Sequence, residues 1–203
     1  MFTGLVQGIA RIESVTRLSA DGGVRIAVDA RSVPGFAARV GDSIAINGAC
    51  LTATQVDGAR FTADVSRETL ARTTGLDAAG PVNLETSLKL GDTLGGHLVS
   101  GHVDGVGSVL RFAQIGESWE LVVALTPALA KFVALKGSLT VNGVSLTVNR
   151  VTDTATACEV SINLIPHTVA VTTLGALRAG DRVNLEIDLI ARYVERMLTA
   201  PRG

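Results

Sequence analysis

A thiol and an imidazole are the side chains best suited to nucleophilic and acid–base chemistry near neutral pH. This 203-residue chain holds few of either: Cys50 and Cys158, His97, His102 and His167. His97 and His102 are five apart, which suits neither one face of a helix nor one face of a strand. No CxxC or HExxH occurs, so no metal site is expected. The Gly-rich stretch 91–107 lacks the Lys-Ser/Thr ending of a phosphate loop and does not open a helix. Taken singly, these residues decide nothing. A lone Cys in an apolar strand is commonly a small core residue, and a Gly-flanked His commonly caps a turn.

An internal repeat singles out two of them. Phe2-Thr3-Gly4-Leu5-Val6-Gln7-Gly8-Ile9 returns as Val99-Ser100-Gly101-His102-Val103-Asp104-Gly105-Val106. Residues 41–53 return as 136–148, with Ser, Asn-Gly, Leu and Thr in the same frame. Glu68–Thr74 and Pro81–Glu85 return as His167–Thr173 and Arg182–Glu186. One module of about 95 residues is therefore used twice; two long copies fit tandem domains better than a solenoid. In register, Cys50 takes the place of Ser145, His102 that of Leu5, Ser43 that of Ser138 and Asn47 that of Asn142. One module thus carries a thiol and an imidazole that its twin lacks. A reactive copy beside a receptive one suits a reaction between two similar molecules.

The elements that must position these residues read as short strands. Residues 5–15, 24–30, 43–56 and 59–65 alternate loosely, and 95–106 reads as the strand that opens the second module. Asn47-Gly48 and Asn142-Gly143 are hairpin signals, because a tight type I′ turn needs positive φ at both central residues. Short strands and regular turns predict small barrels or sandwiches. Helices are sparse. A short one is expected at 67–73. The best signalled runs from Thr126 to Gly137, with Pro in its first turn and Lys in its last; residues 34–40 are its weaker counterpart. In the tail, residues 189, 190, 193, 194, 197 and 198 form one apolar helical face, which packs either within the chain or on its own copies. Glu85 and Glu186 read as solvated strand-end charges.

Composition excludes several classes. The formal net charge is −1 with no basic run, and aromatics are 3%, so no nucleic-acid partner is expected. No 18-residue apolar run and no signal-peptide pattern occur, so no membrane span is expected. Two cysteines in different modules make no disulfide scaffold, and a cytoplasmic setting is the default.

Five phrases then carry a resemblance: Met-Phe-Thr-Gly-Leu-Val at 1–6, Asn-Gly-Ala-Cys-Leu-Thr at 47–52, Gly-Gly-His-Leu-Val-Ser-Gly-His at 95–102, Lys-Gly-Ser-Leu-Thr-Val-Asn-Gly-Val-Ser-Leu-Thr-Val at 136–148, and Asn-Leu-Ile-Pro-His-Thr at 163–168. In this order they span essentially the whole chain, which resembles the trimeric, alpha-chain type of riboflavin synthase. The resemblance implies a mainly β fold of two similar six-stranded Greek-key β-barrels, at 1–95 and 96–187. A C-terminal α-helix and tail at 188–203 would join three copies. It implies a transferase that turns two molecules of 6,7-dimethyl-8-ribityllumazine into riboflavin and 5-amino-6-(ribitylamino)uracil by moving a four-carbon unit, without metal or organic cofactor. Each site would lie between the N-terminal barrel of one copy and the C-terminal barrel of its neighbour. Association with lumazine synthase is a further partner that the resemblance raises. The alternative is a non-catalytic lumazine- or flavin-binding relative; the presence of Ser43, Cys50, His97 and His102 favours the enzyme.

Carried over by position, the family's catalytic groups fall on Ser43, Cys50, His102 and Asp188. His102 suits a base for the acidic C7 methyl of one lumazine. The Cys50 thiolate, a ribityl hydroxyl or a water activated by Ser43 suits addition to the other. The N-terminal-barrel lumazine would touch Cys50, Leu51 and Thr52, then Asp64, Val65, Ser66, Arg67, Glu68 and Thr69, and Gly101, His102 and Val103. The C-terminal-barrel lumazine would touch Ser145, Leu146 and Thr147, then Ile165, Pro166, His167, Thr168, Val169 and Ala170. Gly4, Leu5, Val6 and Lys136 would complete such sites across the interface. One position departs from the pattern: Asn142 stands where several family members have Asp.

Overall fold

The structure, a computed structural model, describes residues 1–200. The last three residues of the 188–203 tail lie outside the described residues. The described residues form twelve strands, four α-helices and a 3-10 turn at Thr173–Ala176. The first six strands are β1 (Gly8–Arg17), β2 (Val24–Asp29), β3 (Ser43–Ile46), β4 (Ala49–Asp57), β5 (Arg60–Val65) and β6 (Gly80–Thr86), with helix α1 (Arg67–Arg72) before the last. They close into an antiparallel barrel in the order β1-β2-β5-β4-β3-β6. Three hairpin-connected strands flanked by an earlier one make this a Greek key.

The second six are β7 (Gly105–Ile115), β8 (Ser118–Leu125), β9 (Ser138–Val141), β10 (Val144–Asp153), β11 (Cys158–Leu164) and β12 (Arg182–Ile187), with α2 (Pro127–Ala130) and α3 (Pro166–Val171) between them. They close with the same topology. Helix α4 (Leu189–Thr199) follows. Among the described residues no helix is long and apolar enough to cross a membrane.

Alternation decides which residues face inward. Along β2, Val24, Ile26 and Val28 are buried while Arg25, Ala27 and Asp29 are less so. Along β4, Ala49, Leu51 and Ala53 join the core of barrel 1, which leaves Cys50 and Thr52 on the outer wall. Barrel 2 repeats the scheme, with Leu146 inside and Ser145 and Thr147 outside. Bulges at Ile12/Ser14 and Ala53/Gln55 recur at Val109/Arg111 and Val148/Arg150, where the added twist helps each sheet close.

The two Asn-Gly hairpins meet at the contact between barrels. Asn47 and Asn142 adopt φ of 46° and 48°, as a type I′ turn requires. Each side chain accepts a hydrogen bond from the strand beside it: the N–H of Asn83 donates to Asn47 Oδ1 and that of Asn184 to Asn142 Oδ1, both at 2.8 Å. Asn83 and Asn184 then cross between barrels, donating to the carbonyls of Asn142 and Asn47 at 2.9 Å. Gly48 and Gly143 touch at the centre, where a Cβ on Gly48 would stand 2.7 Å from the Gly143 nitrogen.

Three sequence expectations are corrected. The helix expected over 126–137 stops at Ala130. Beyond it the chain winds in single three-residue turns that lay Phe132 and Val133 against barrel 2, and the N–H of Lys136 donates to the carbonyl of Val148 at 2.8 Å. Residues 34–40 form turns and extended chain rather than a helix, with Phe36 stacked on Phe61 at 5.5 Å. Residues 95–104 are not a strand; their one ladder contact is a bridge between Phe2 and Val99, and regular pairing begins at Gly105. The Gly-rich composition serves close approach instead: a Cβ on Gly96 would stand 2.1 Å from the carbonyl of Thr3.

Candidate functional site

Two segments outside the barrels, residues 2–6 and 96–103, run antiparallel past each other and cross from one barrel to the other. Phe2, fully buried with Ala45 and Val99, pins the crossing to barrel 1. The carbonyl of Gly101 accepts from the N–H of Cys50 at 2.8 Å, and the carbonyl of Gly4 accepts from the N–H of Ser145 at 2.8 Å. Both glycines have positive φ, 74° and 77°. A Cβ on either would press into the residue it covers, at 2.6 Å from Ser145 and 2.7 Å from Cys50. The frame pairing of Leu5 with His102 and of Ser145 with Cys50 is thus a pairing of matching places on two walls.

On barrel 1 this builds a cavity of about 340 Å³ lined by Ala49, Cys50, Glu68, Thr69, Arg72, Thr73, Gly101, His102, Val103 and Asp104. Cys50 is partly exposed and His102 exposed. Helix α1 forms one wall. Ser66 caps it by accepting from the N–H of Thr69 at 3.0 Å, and Arg72 pairs with Glu68 one turn back at 2.9 Å. Asp104 at the rim accepts from the N–H of Ile187 and pairs with Arg192 of α4 at 2.8 Å. Cys158, by contrast, is fully buried in barrel 2, and burial pushes its thiol up to about 11; it is a core residue.

The matching place on barrel 2 differs in character. Ser145 Oγ lies 2.7 Å from His97 Nδ1, while His97 Nε2 is buried with no hydrogen-bond partner among the described residues. Burial lowers the His97 imidazole below its usual range, and the negative charges of Asp188 and Glu186 oppose that shift. Leu5 is exposed and Val6 packs on barrel 2. Helix α3 brings His167 and Thr168 to the places of Glu68 and Thr69, and Thr172 donates to the carbonyl of Thr168 as Thr73 does to that of Thr69, both at 2.7 Å.

Of the residues singled out from the sequence, Cys50, Glu68, Thr69, Gly101, His102 and Val103 share one cavity. Gly4 and Ser145 meet on barrel 2. Others do not line that cavity. Leu51, Val65 and Leu146 face the barrel interiors. Asp64 lies exposed on β5, held by Arg25 at 2.6 and 2.9 Å, which keeps its carboxyl below the usual range. Arg67 is exposed on α1, and Thr52 and Thr147 lie on the outer walls. Ser43 is paired with Thr52 across β3 and β4. Lys136 Nζ donates to Asn149 at 3.1 Å. Ile165, Pro166 and Ala170 are exposed around α3, with Val169 packed on barrel 2. Asp188 caps α4, accepting from the N–H of Ile190 at 2.9 Å. Asn142 serves the barrel contact. Among the described residues no cluster of three or more His, Cys, Asp or Glu could hold a metal ion.

Sequence reasoning missed three groups. Glu85 and Glu186 are not solvated: they are 5% and 2% exposed. Glu85 accepts from Thr3 N at 2.6 Å, Thr3 Oγ1 at 2.7 Å and Gly4 N at 3.0 Å. Burial raises its carboxyl above the usual range, against the pull of these donors. Glu186 accepts from Ser100 N, Ser100 Oγ and Gly101 N at 2.7, 2.6 and 2.9 Å. The third miss is the contact of His97 with Ser145. The recurrence of Val-Asn-Leu-Glu at 82–85 and 183–186 was the available signal for the carboxylates.

A doubled closed barrel with matching half-sites on its walls is the architecture of a lumazine-binding protein, and the family model for the lumazine binding domain matches twice, at residues 3–87 and 100–188. A riboflavin synthase of Mycobacterium tuberculosis (strain ATCC 25618 / H37Rv) is 45% identical over 204 residues, covering 98% of this chain and 98% of the relative. One of Photobacterium leiognathi is 39% identical, covering 100% and 91%. This chain belongs to the riboflavin synthase family. Among solved structures, LumP complexed with riboflavin superposes with a TM-score of 0.80 at 25% identity, covering 92% of this chain and 99% of LumP.

Proposed function

We propose that this chain catalyses the dismutation of two 6,7-dimethyl-8-ribityllumazine molecules, giving riboflavin and 5-amino-6-(ribitylamino)uracil. The observation that carries the reading is an asymmetry on a symmetric scaffold. The barrel 1 half-site holds Cys50 and His102 where the barrel 2 half-site holds Ser145 and Leu5. One four-carbon donor and one acceptor of the same chemical kind need such unequal twins.

The chemistry follows from the side chains. The C7 methyl of a lumazine is acidic because the ring delocalises the carbanion. His102, exposed at the cavity wall, is suited to take that proton. The partner ring becomes reactive by addition at its own C7, for which the Cys50 thiolate, a ribityl hydroxyl or a water activated by Ser43 is suited. Holding two rings face to face contributes the larger share, because oriented reactants avoid most of the entropy cost of encounter. Thr69 and the backbone of Gly101 to Val103 offer polar partners to the pyrimidine edge, and Ser145 with His97 offers them on barrel 2.

Both half-sites lie on outer walls, so a second copy is needed to face one with the other. We place the working site between barrel 1 of one copy and barrel 2 of its neighbour in a homotrimer. Support comes from α4, whose Ile190, Tyr193, Val194, Met197 and Leu198 are 49–79% exposed. Two free cysteines in separate barrels fit a reducing compartment, the cytoplasm. Association with lumazine synthase would pass the substrate directly between the two enzymes.

Similarity to LumP favours a second reading, a protein that holds one ligand without turnover. Incubating pure protein with the lumazine and following riboflavin absorbance separates the two. Riboflavin formation is expected; tight binding without it supports the second reading.

A further inference from the structure

The two buried carboxylates sit in equivalent rows on the outer walls. Glu85 is paired across the sheet with Ala45, and Ala45 with Cys50. Glu186 is paired with Thr140, and Thr140 with Ser145. Neither carboxylate holds the backbone that covers its own row. Glu85, in barrel 1, grips Thr3-Gly4, and the Gly4 carbonyl meets Ser145 of barrel 2. Glu186, in barrel 2, grips Ser100-Gly101, and the Gly101 carbonyl meets Cys50 of barrel 1. Each carboxylate takes three donors from two successive residues, and such charge-assisted bonds to a buried group are among the strong ones. The next residue along each gripped segment is the one that differs between half-sites: Leu5 after Gly4, His102 after Gly101.

We propose that Glu85 and Glu186 are positioning residues that work crosswise: each, rooted in one barrel, sets the backbone that completes the half-site of the other. Glu186 thereby sets His102 over Cys50, and Glu85 sets Leu5 beside Ser145. For catalysis this rests on the riboflavin synthase reading; the mechanical linkage stands on its own. A consequence is that each half-site is held from the opposite barrel, so a change at one carboxylate loosens the half-site of the other barrel and not its own.

Amide hydrogen exchange of the full chain without substrate reads the linkage at two atoms, the N–H of Cys50 and the N–H of Ser145. Glu186→Gln faces the Gly101 N–H or the Ser100 donors with an amide NH2. It should speed exchange at Cys50 roughly ten- to hundredfold and leave Ser145 protected. Glu85→Gln should do the reverse. Ser100→Ala and Thr3→Ala remove one donor each and should show the same crossed pattern more weakly, which covers the case in which a Gln variant fails to fold. At saturating lumazine, Glu186→Gln should lower kcat roughly tenfold and add little to the loss caused by His102→Gln. A chain that makes no riboflavin yet shows the crossed exchange contradicts the proposed reaction and supports the linkage. Uncrossed, equal or absent exchange changes overturn the linkage, and kcat losses that simply add overturn its action through His102.

Discussion

Cys50 and His102 reach one cavity from opposite ends of the chain's logic: Cys50 is built into β4, while His102 arrives on a segment that belongs to no barrel. If His102 takes the methyl proton and Cys50 assists addition, Cys50→Ser and His102→Gln should each slow turnover more than they weaken lumazine binding. For His102→Gln the loss in kcat should be about 10²-fold or more. Unchanged kcat in both would mean that orientation alone drives the reaction. His97 gives a test without substrate. Its proton is bound less tightly in the folded state than in the unfolded chain, where the imidazole titrates near 6.5. Stability from this site is therefore held above 6.5 and is lost as pH falls from there through the lower folded value. Asp188 and Glu186, the charges facing it, narrow that window. His97→Gln should flatten the fall in Tm below pH 6.5, read by calorimetry across a pH series; an unchanged acid slope would contradict it. At this scale the sequence disclosed the thiol and imidazole through the repeat frame. The carboxylates were marked only by the recurrence of Val-Asn-Leu-Glu, which shows that the position repeats but not that a distant segment buries it. The pairing of Asp64 with Arg25 was equally invisible, since it depends on the register of β2 with β5.

The two Asn-Gly hairpins carry more of the architecture than any helix. They were legible because a positive-φ pair is a local demand that few residues meet. Their second role, joining the barrels, was not, because it requires two turns to meet back to back. Gly48→Ala tests it. The new Cβ would carry both the strain of φ 83° and a contact 2.7 Å from the Gly143 nitrogen. Gly58→Ala serves as the control, with φ of 57° and no atom within 4 Å. Strain alone costs roughly 1–3 kcal/mol, or about 2–4 °C in Tm per kcal/mol for a chain of this size. Gly48→Ala should lower Tm clearly more than Gly58→Ala; equal losses would mean the barrel contact yields freely. The helix expected over 126–137 failed for the opposite reason to the hairpins' success. Pro127 does stand in its first turn, but Thr126 makes no side-chain cap bond and the Lys and Gly of the expected last turn lie past the helix end; Phe132 and Val133 lie on barrel 2 instead, and tertiary packing overrides modest propensity.

For the whole molecule, the barrels are closed and their edges satisfied, and among the described helices α4 carries a row of exposed apolar side chains: Ile190, Tyr193, Val194, Met197 and Leu198. Lys131 pairs with Glu195 and Arg192 with Asp104, which anchor the helix on one side while Tyr193 and Met197 stay 62% and 79% exposed. Removing residues 189–203 should turn the proposed trimer into smaller species by light scattering; a truncated chain that is still trimeric would place the main self-contact elsewhere. The duplicated scaffold was legible from repeat spacing, whereas the crossing of residues 2–6 and 96–103 between barrels was not, since only the closed barrels define where a segment crosses. The most direct test of the central claim is the stoichiometry of turnover. Lumazine consumed, riboflavin formed and pyrimidinedione formed should stand at two to one to one, from unequal half-sites acting on two copies of one compound. Saturable binding of a single lumazine per chain, with no riboflavin formed, would contradict it.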